Sequence, residues 1–225
     1  MSNLLALFKS QVVVKVIDAT IDYNDYTPID LSETNTELTK LNTNDAFAFE
    51  EFIENYLTKY NAQVAYGGYQ EIRTIYKRST VFNNNQSEER NIHIGLDLWI
   101  KAGTKVLAAL DGKIHSFQNN TALGDYGPSI ILEHHLQNHT FFTLYGHLSL
   151  ESLDNKKVGD IVKQGQKIAS LGLPPINGDY APHLHFQIII DIQNKKGDYP
   201  GVCSHKDLNF YAENCPNPNL LLKLK

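Results

Sequence analysis

The sequence has few cysteines, a modest net charge and no long apolar run, and each absence excludes a class of protein. Among its 225 residues the cysteines are Cys203 and Cys215, too few for the disulfide framework of a small secreted domain. The two thiols can pair in an oxidising compartment or stay reduced, and the sequence leaves both alternatives open. The motif Cys203-x-His205 lacks two further ligands at zinc-site spacing, so no second metal site is expected there.

Charge and hydropathy exclude two kinds of partner. The formal net charge is −5 and the pI is about 6.0, so the chain lacks the clustered Lys and Arg that bind nucleic acid or anionic lipid. No run approaches the roughly 20 apolar residues of a membrane span. The stretch from Met1 to Lys9 lacks the basic start and the cleavage site of a signal peptide. We therefore expect a cytoplasmic protein, or a periplasmic or secreted one if a leader was removed.

Three short motifs between Asn91 and Phe186 contain the residues that suggest metal chemistry. They are His93-x-x-x-Asp97, Tyr145-Gly146-His147-Leu148 and His183-Leu184-His185-Phe186. Because side chains alternate along a strand, His183 and His185 are predicted to face one pocket while their apolar neighbours anchor the strand in a core. The apolar residues after Asp97 favour extended chain there as well. Imidazole and carboxylate are zinc ligands, and three protein ligands with one water make a catalytic zinc site.

These motifs resemble those of the lysostaphin/LytM-type zinc metallopeptidases, which cut peptide cross-links of bacterial cell walls. The resemblance implies a ligand set of His93, Asp97 and His185 for one Zn²⁺. It implies that His147 and His183 assist catalysis without binding the metal, one as base and the other as acid, in an order that the sequence leaves open. The implied activity is hydrolysis of peptide bonds in peptidoglycan cross-links or muropeptides by a metal-activated water.

The groove beside this site is expected to include Tyr126, Asp179 and Tyr180. The stretch from Gly172 to Pro182 departs from the Gly-, Ser- and Thr-rich pattern usual in the family, so specificity for glycine bridges is not expected. The C-terminal piece from Asp198 to Leu222 is similar to the tail of a subgroup found inside kinase-like and aminotransferase fusion proteins. That similarity would fit a substrate other than mature cell wall.

Short apolar runs separated by turns continue from Val106 to Ile192 and predict many short strands. We therefore expect a mainly β fold, with a two-layered antiparallel β sandwich-like catalytic domain. Asp111-Gly112 is a strong signal for a hairpin. The predicted organisation is a small α/β appendage at residues 1–80 that packs on a catalytic domain at residues 81–200, followed by a C-terminal extension at residues 201–225.

The N-terminal appendage is predicted to contain three elements. Leu4 to Phe8 can form a short helix, and Val12 to Ile17 has the composition of a strand. A longer helix is expected to begin after the cap at Thr43-Asn44-Asp45 and to continue to about Tyr60. The polar segment from Asn83 to Glu89 is predicted to be a loop.

Other function classes stay open. The protein could be a catalytically inactive activator or scaffold of cell-wall metabolism, although every ligand position is filled, or a peptidase on a non-wall peptide. The segment from Val106 to Ile114 also resembles the hairpin modules of biotinyl and lipoyl carriers, but its turn has no central lysine. The remaining histidines are interpreted as structural or surface residues, with His134 the most important for structure; they are His115, His134, His135, His139 and His205. The oligomeric state is not predicted.

Overall fold

The computed structural model describes residues 2–78 and 89–225. Residues 83–88 of the predicted loop lie outside the described residues, as does the predicted domain boundary at residues 80–81. The strands are β1 (Tyr26–Pro28), β2 (Val64–Gly67), β3 (Ile92–His93), β4 (Leu96–Trp99), β5 (Lys105–Leu107), β6 (Gly112–Asn120), β7 (Gly127–Leu136), β8 (His139–Gly146), β9 (Ile161–Val162), β10 (Lys167–Ser170), β11 (His183–Ile189) and β12 (Val202–Cys203). The helices are α1 (Ser2–Ser10), α2 (Ala46–Lys59), α3 (Leu208–Asn214) and α4 (Asn219–Leu222), with 3₁₀ turns at Tyr23–Asp25, Thr36–Lys40, Ile75–Arg78 and Leu150–Leu153.

Eight strands form one sheet in the order β1-β2-β4-β11-β8-β7-β6-β9. Neighbours in this sheet are antiparallel except for the parallel pair β1 and β2. Two smaller antiparallel sheets pair β10 with β5 and β12 with β3. The predicted mainly β fold is confirmed, and the large sheet is mixed.

Strand β11 lies near the middle of the sheet and is buried along its whole length. Leu184, Phe186 and Ile188 point into the main hydrophobic core. The alternate positions, His183, His185 and Gln187, are buried polar residues. The predicted division of this strand into an apolar face and a histidine face is therefore confirmed. Packing of the apolar face holds the backbone from which the histidines extend.

The N-terminal segment contributes directly to this sheet. Both predicted helices are confirmed, and Asp45 caps α2 by accepting hydrogen bonds from the backbone N–H groups of Phe47 and Ala48. Strand β2 pairs with β4, and the Phe49 ring packs edge-on against Trp99 at 5.2 Å between centroids. The chain termini also meet, since α1 contacts α4 and the Lys223 ammonium donates to the carbonyl of Lys9.

Two predictions about local structure are wrong. Residues 12–17 do not form a strand; Ile17 makes an isolated bridge to Val106, and the Val14 N–H donates to the Leu221 carbonyl. Val14, Val16 and Ile17 are buried, whereas Val12 is 82% exposed. The residue composition of a strand is therefore not sufficient, because a strand also needs a partner along its edge.

The predicted Asp111-Gly112 hairpin is the second error. The flanking strands β5 and β6 do not pair with each other, because β5 joins β10 whereas β6 joins β7 and β9. The Asp111 carboxylate instead accepts hydrogen bonds from the Lys163 ammonium and the Gln164 N–H. Gly112 permits a close approach, since a Cβ there would lie 2.4 Å from the Glu133 carbonyl oxygen. The Asp111-Gly112 turn connects strands of two different sheets. The similarity to biotinyl and lipoyl carriers depended on a hairpin at this turn, and that hairpin is not formed.

Both cysteines are buried and neither forms a disulfide. Within the described residues, no helix is both long enough and apolar enough to cross a membrane.

Candidate metal centre

Three elements bring the predicted zinc ligands together. Asp97 on β4 and His185 on β11 are directly opposite each other in the antiparallel register. His93 ends β3, four residues before Asp97, and β12 holds that strand in place. All three side chains are at least 97% buried (His93 2%, Asp97 1% and His185 2% exposed). Register and chain reversal thus place two imidazoles and one carboxylate in a single buried cluster.

The distances within this cluster fit a tetrahedral metal. Asp97 Oδ1 lies 3.3 Å from His93 Nε2 and 3.3 Å from His185 Nδ1, and the two ring nitrogens are 2.9 Å apart. Ligands at about 2.0–2.1 Å from a tetrahedral zinc ion are separated from one another by about 3.3 Å. The three ligand atoms therefore already stand close to three corners of such a tetrahedron.

Hydrogen bonds on the far side of each ring set the tautomers. His93 Nδ1 lies 2.9 Å from the Gly68 carbonyl oxygen, and His185 Nε2 lies 2.9 Å from Gln187 Oε1. Both partners are acceptors, so these nitrogens donate and the opposite nitrogens, His93 Nε2 and His185 Nδ1, have lone pairs. Two lone pairs and a carboxylate oxygen then converge, an arrangement that a cation stabilises.

Burial and charge point to the same conclusion. Among the described residues Asp97 Oδ1 is buried without a hydrogen-bond donor, whereas Oδ2 accepts from Arg73 Nη1 at 2.5 Å. Burial alone would raise the pKa of Asp97, but His93 and Arg73 hold it well below its usual range. Burial lowers the pKa of His93 to about 4 despite the neighbouring carboxylate. An ionised carboxylate and a neutral imidazole are the forms that bind zinc, so the residues fit this ion.

The two predicted catalytic histidines lie beside the cluster. The centroids of the His147 and His183 rings are 4.2 Å apart, and His183 Nε2 lies 3.9 Å from Asp97 Oδ1. Each ring donates through Nδ1 to a backbone carbonyl, His147 to Asn177 at 2.7 Å and His183 to Ala181 at 2.8 Å. The Nε2 atoms therefore have lone pairs. Burial lowers the pKa of both rings, to about 4 for His183.

A cavity of about 190 Å³ opens over these residues. Of the three residues expected in the groove, Tyr126 and Tyr180 line this cavity and Asp179 is not among the lining residues. The Tyr126 hydroxyl lies 3.4 Å from His185 Nε2, while the Tyr180 hydroxyl donates to the Gly124 carbonyl. Charged residues of both signs also line the cavity; they are Arg73, Arg90, Asp97, Asp125, Lys195 and Asp198.

Sequence reasoning missed the residues that orient the ligands. Gln187 could have been found, because it lies two positions after His185 and so shares its face of β11. Gly68 and Arg73 have no such signal, since they approach the cluster from a segment more than 20 residues away in sequence from their partners. The structure brings the predicted ligands and catalytic histidines together, and their roles stay predictions.

Comparisons with known proteins bear on residues 91–198, which match the family model of peptidase family M23. A search of curated proteins found no match. Similar solved structures include the catalytic domain of the antimicrobial peptidase lysostaphin from Staphylococcus simulans, with 28% identity over 54% of this chain and 80% of that chain and a TM-score of 0.38. LytU has 28% identity over 58% of this chain and 80% of its own, with a TM-score of 0.36. The catalytic domain of the prophage-encoded M23 protein EnpA from Enterococcus faecalis has 23% identity over 49% of this chain and 80% of its own, with a TM-score of 0.38. The predicted resemblance to lysostaphin/LytM-type peptidases is confirmed for residues 91–198.

Proposed function

We propose, from the match of residues 91–198 to peptidase family M23, that this protein is a zinc-dependent endopeptidase. The observation that carries the proposal is the buried Asp97 Oδ1, which lacks a donor among the described residues and faces two imidazole nitrogens at 3.3 Å. His93, Asp97 and His185 would hold one Zn²⁺. When bound, zinc supplies Lewis acidity, which lowers the pKa of a coordinated water to about 7 and polarises a scissile carbonyl.

The protein's own part of the chemistry is proton transfer at His147 and His183. Both rings are neutral near pH 7 because burial lowers their pKa, so one Nε2 can accept a proton from the attacking water. Both Nε2 atoms begin without a proton, so the proton that the first ring accepts has to pass to the second ring before that ring can donate it to the leaving amine. The backbone carbonyls of Asn177 and Ala181 keep each Nδ1 protonated and the rings oriented.

The substrate class follows from the resemblance of the motifs to those of cell-wall peptidases. We infer a peptide in peptidoglycan cross-links or in soluble muropeptides, held beside the Tyr126 and Tyr180 rings that line the cavity. A non-wall peptide is the alternative substrate. A regulatory, inactive module is the alternative function, and the complete set of ligand residues argues against it.

Digestion of purified peptidoglycan, soluble muropeptides and unrelated peptides tests this proposal. Wild-type protein loaded with zinc is expected to release new amine termini that mass spectrometry assigns to a particular bond, and chelation is expected to stop the release. His147→Ala should bind zinc and release nothing. Release of amine termini from unrelated peptides alone would contradict the proposal that the substrate is peptidoglycan or a muropeptide. Zinc binding without cleavage of any substrate would favour the regulatory alternative, and failure to bind zinc would contradict the whole proposal.

A further inference from the structure

Arg73 reaches the metal centre from outside the segment that matches the peptidase family. Its side chain is 4% exposed, and Nη1 donates to Asp97 Oδ2 at 2.5 Å. The matched segment begins at residue 91, so Arg73 contacts the site from a part of the chain that the family match does not cover. It engages one carboxylate oxygen and leaves the other facing the two ligand histidines.

Arg73 is itself held in place on several sides. Its Nε donates to Glu71 Oε2 at 2.6 Å, and the second carboxylate oxygen of Glu71 accepts from the Leu31 N–H at 2.9 Å. The Arg73 N–H donates to the Asn91 carbonyl at 2.9 Å, which ties its backbone to the chain entering β3. The guanidinium therefore has a defined position before it meets Asp97.

Gly68 makes room for this arrangement. A Cβ at position 68 would lie 2.0 Å from Arg73 Nη2 and 2.9 Å from His93 Nδ1, so any side chain would displace the guanidinium or the imidazole. The Gly68 φ of +100° is also a conformation that other residues rarely adopt. The same glycine provides the carbonyl that fixes the His93 tautomer. One short segment thus orients two of the three candidate ligands.

We infer that Arg73 is a positioning residue of the metal centre, which binds Asp97 Oδ2 so that Oδ1 alone is directed at the metal. This inference rests on the proposed zinc function. Because Nε is bound to Glu71, the planar guanidinium presents Nη1 to Asp97 in a fixed direction, which the freely rotating ammonium of a lysine does not do. Removing such a partner of a metal ligand typically lowers metal affinity roughly 10–100-fold.

Zinc affinity of the full-length protein, measured by competition with a chromophoric chelator, tests the inference. Arg73→Met is expected to weaken zinc binding roughly 10–100-fold, and Arg73→Lys is expected to fall between that variant and wild type. Arg90→Met is the matched control, because Arg90 lines the same cavity but donates to the carbonyl of Val202, which is not a candidate ligand. Its zinc affinity should stay near that of wild type.

A spectroscopic measurement separates orientation of Asp97 from a general loss of packing. In Co²⁺-loaded protein, freeing Oδ2 should change the visible d–d bands of folded Arg73→Met, whereas Arg90→Met should keep the wild-type bands. Unchanged affinity, or weaker affinity with unchanged bands, overturns the inference. If Arg73→Met does not fold, Arg73→Lys decides by the same two criteria. If wild type binds no zinc, the proposed function fails with it; if wild type binds zinc and the Arg73 variants match it, only this inference fails.

Discussion

Two regions of the sheet contain buried histidines, and they differ in one respect. In the metal-site cavity, His147 and His183 each use Nδ1 for a backbone carbonyl and have no described hydrogen bond at Nε2. In the second region, between β7 and β8, His134 Nδ1 donates to the Asp111 carbonyl at 3.0 Å, and Nε2 accepts from the Thr143 hydroxyl at 2.7 Å. All three rings are at least 95% buried (His134 1%, His147 5% and His183 3% exposed).

The pKa does not distinguish these regions. Burial lowers the pKa of His134 to about 4 and that of His183 to about 4 as well. The difference is the free nitrogen, since a ring with both nitrogens satisfied stabilises the fold, while one with a free lone pair beside a cavity can bind a proton or a substrate. The hydrogen bonding of Nε2 therefore distinguishes the two predicted catalytic histidines from His134, whereas burial and pKa do not.

The largest expected effect comes from the same substitution in each region. His147→Asn should lower turnover roughly 10²–10⁴-fold, because one of the two proton-transfer groups is lost, while zinc binding persists. Asparagine suits this position because it can still donate to the Asn177 carbonyl and tolerates the left-handed backbone, with φ of 62°. Steady-state kinetics on the cleaved peptide measure the change.

His134→Asn is the matched control for that experiment. It should leave turnover of the folded protein near the wild-type value, because both nitrogens of His134 contact groups remote from the cavity. Equal losses of turnover in the two variants would contradict the claim that His147 takes part in the reaction and His134 does not.

The next effect is on stability and depends on pH. Burial lowers the pKa of His134 in the folded protein to about 4, from about 6.5 in the unfolded chain, so between these pH values the unfolded chain binds more protons and stability falls as pH falls. Wild type should lose about 1.4 kcal/mol per pH unit more than His134→Asn in this window, or about 3 kcal/mol in total. The two proteins share every other ionisable group, so the difference between them isolates His134. Urea unfolding at a series of pH values measures it, and parallel curves would show that His134 is not neutral and buried.

The smallest effect tests the hydrogen bond itself. Thr143→Val keeps the shape of the side chain but leaves His134 Nε2 without its donor, which should cost about 1–2 kcal/mol of unfolding free energy. Urea unfolding at neutral pH measures that cost. Zinc affinity and turnover should not change, and a loss of either without unfolding would mean that the second region is coupled to the cavity.

Local sequence patterns predicted much of the fold and most of the candidate site. The two-residue period of β11 assigned His183 and His185 to one face, and the Asp45 cap marked the start of α2 within one residue. These predictions were correct because the features depend on neighbours within a few residues in sequence. The strand composition of residues 12–17 and the Asp111-Gly112 turn gave wrong predictions for the opposite reason, because the partners that decide them, Leu221 and β10, are distant in sequence.

The sequence by itself determined which side chains are available for metal chemistry, because the three motifs contain their residue types at recognisable spacing. Only the tertiary structure decided how those side chains are oriented. The β4–β11 register sets Asp97 opposite His185, and contacts from Gly68 and Arg73 turn His93 and Asp97 toward a common point. These contacts join segments far apart in the chain, and the free energy that forms them comes from burial of the whole sheet, which no short stretch of sequence contains.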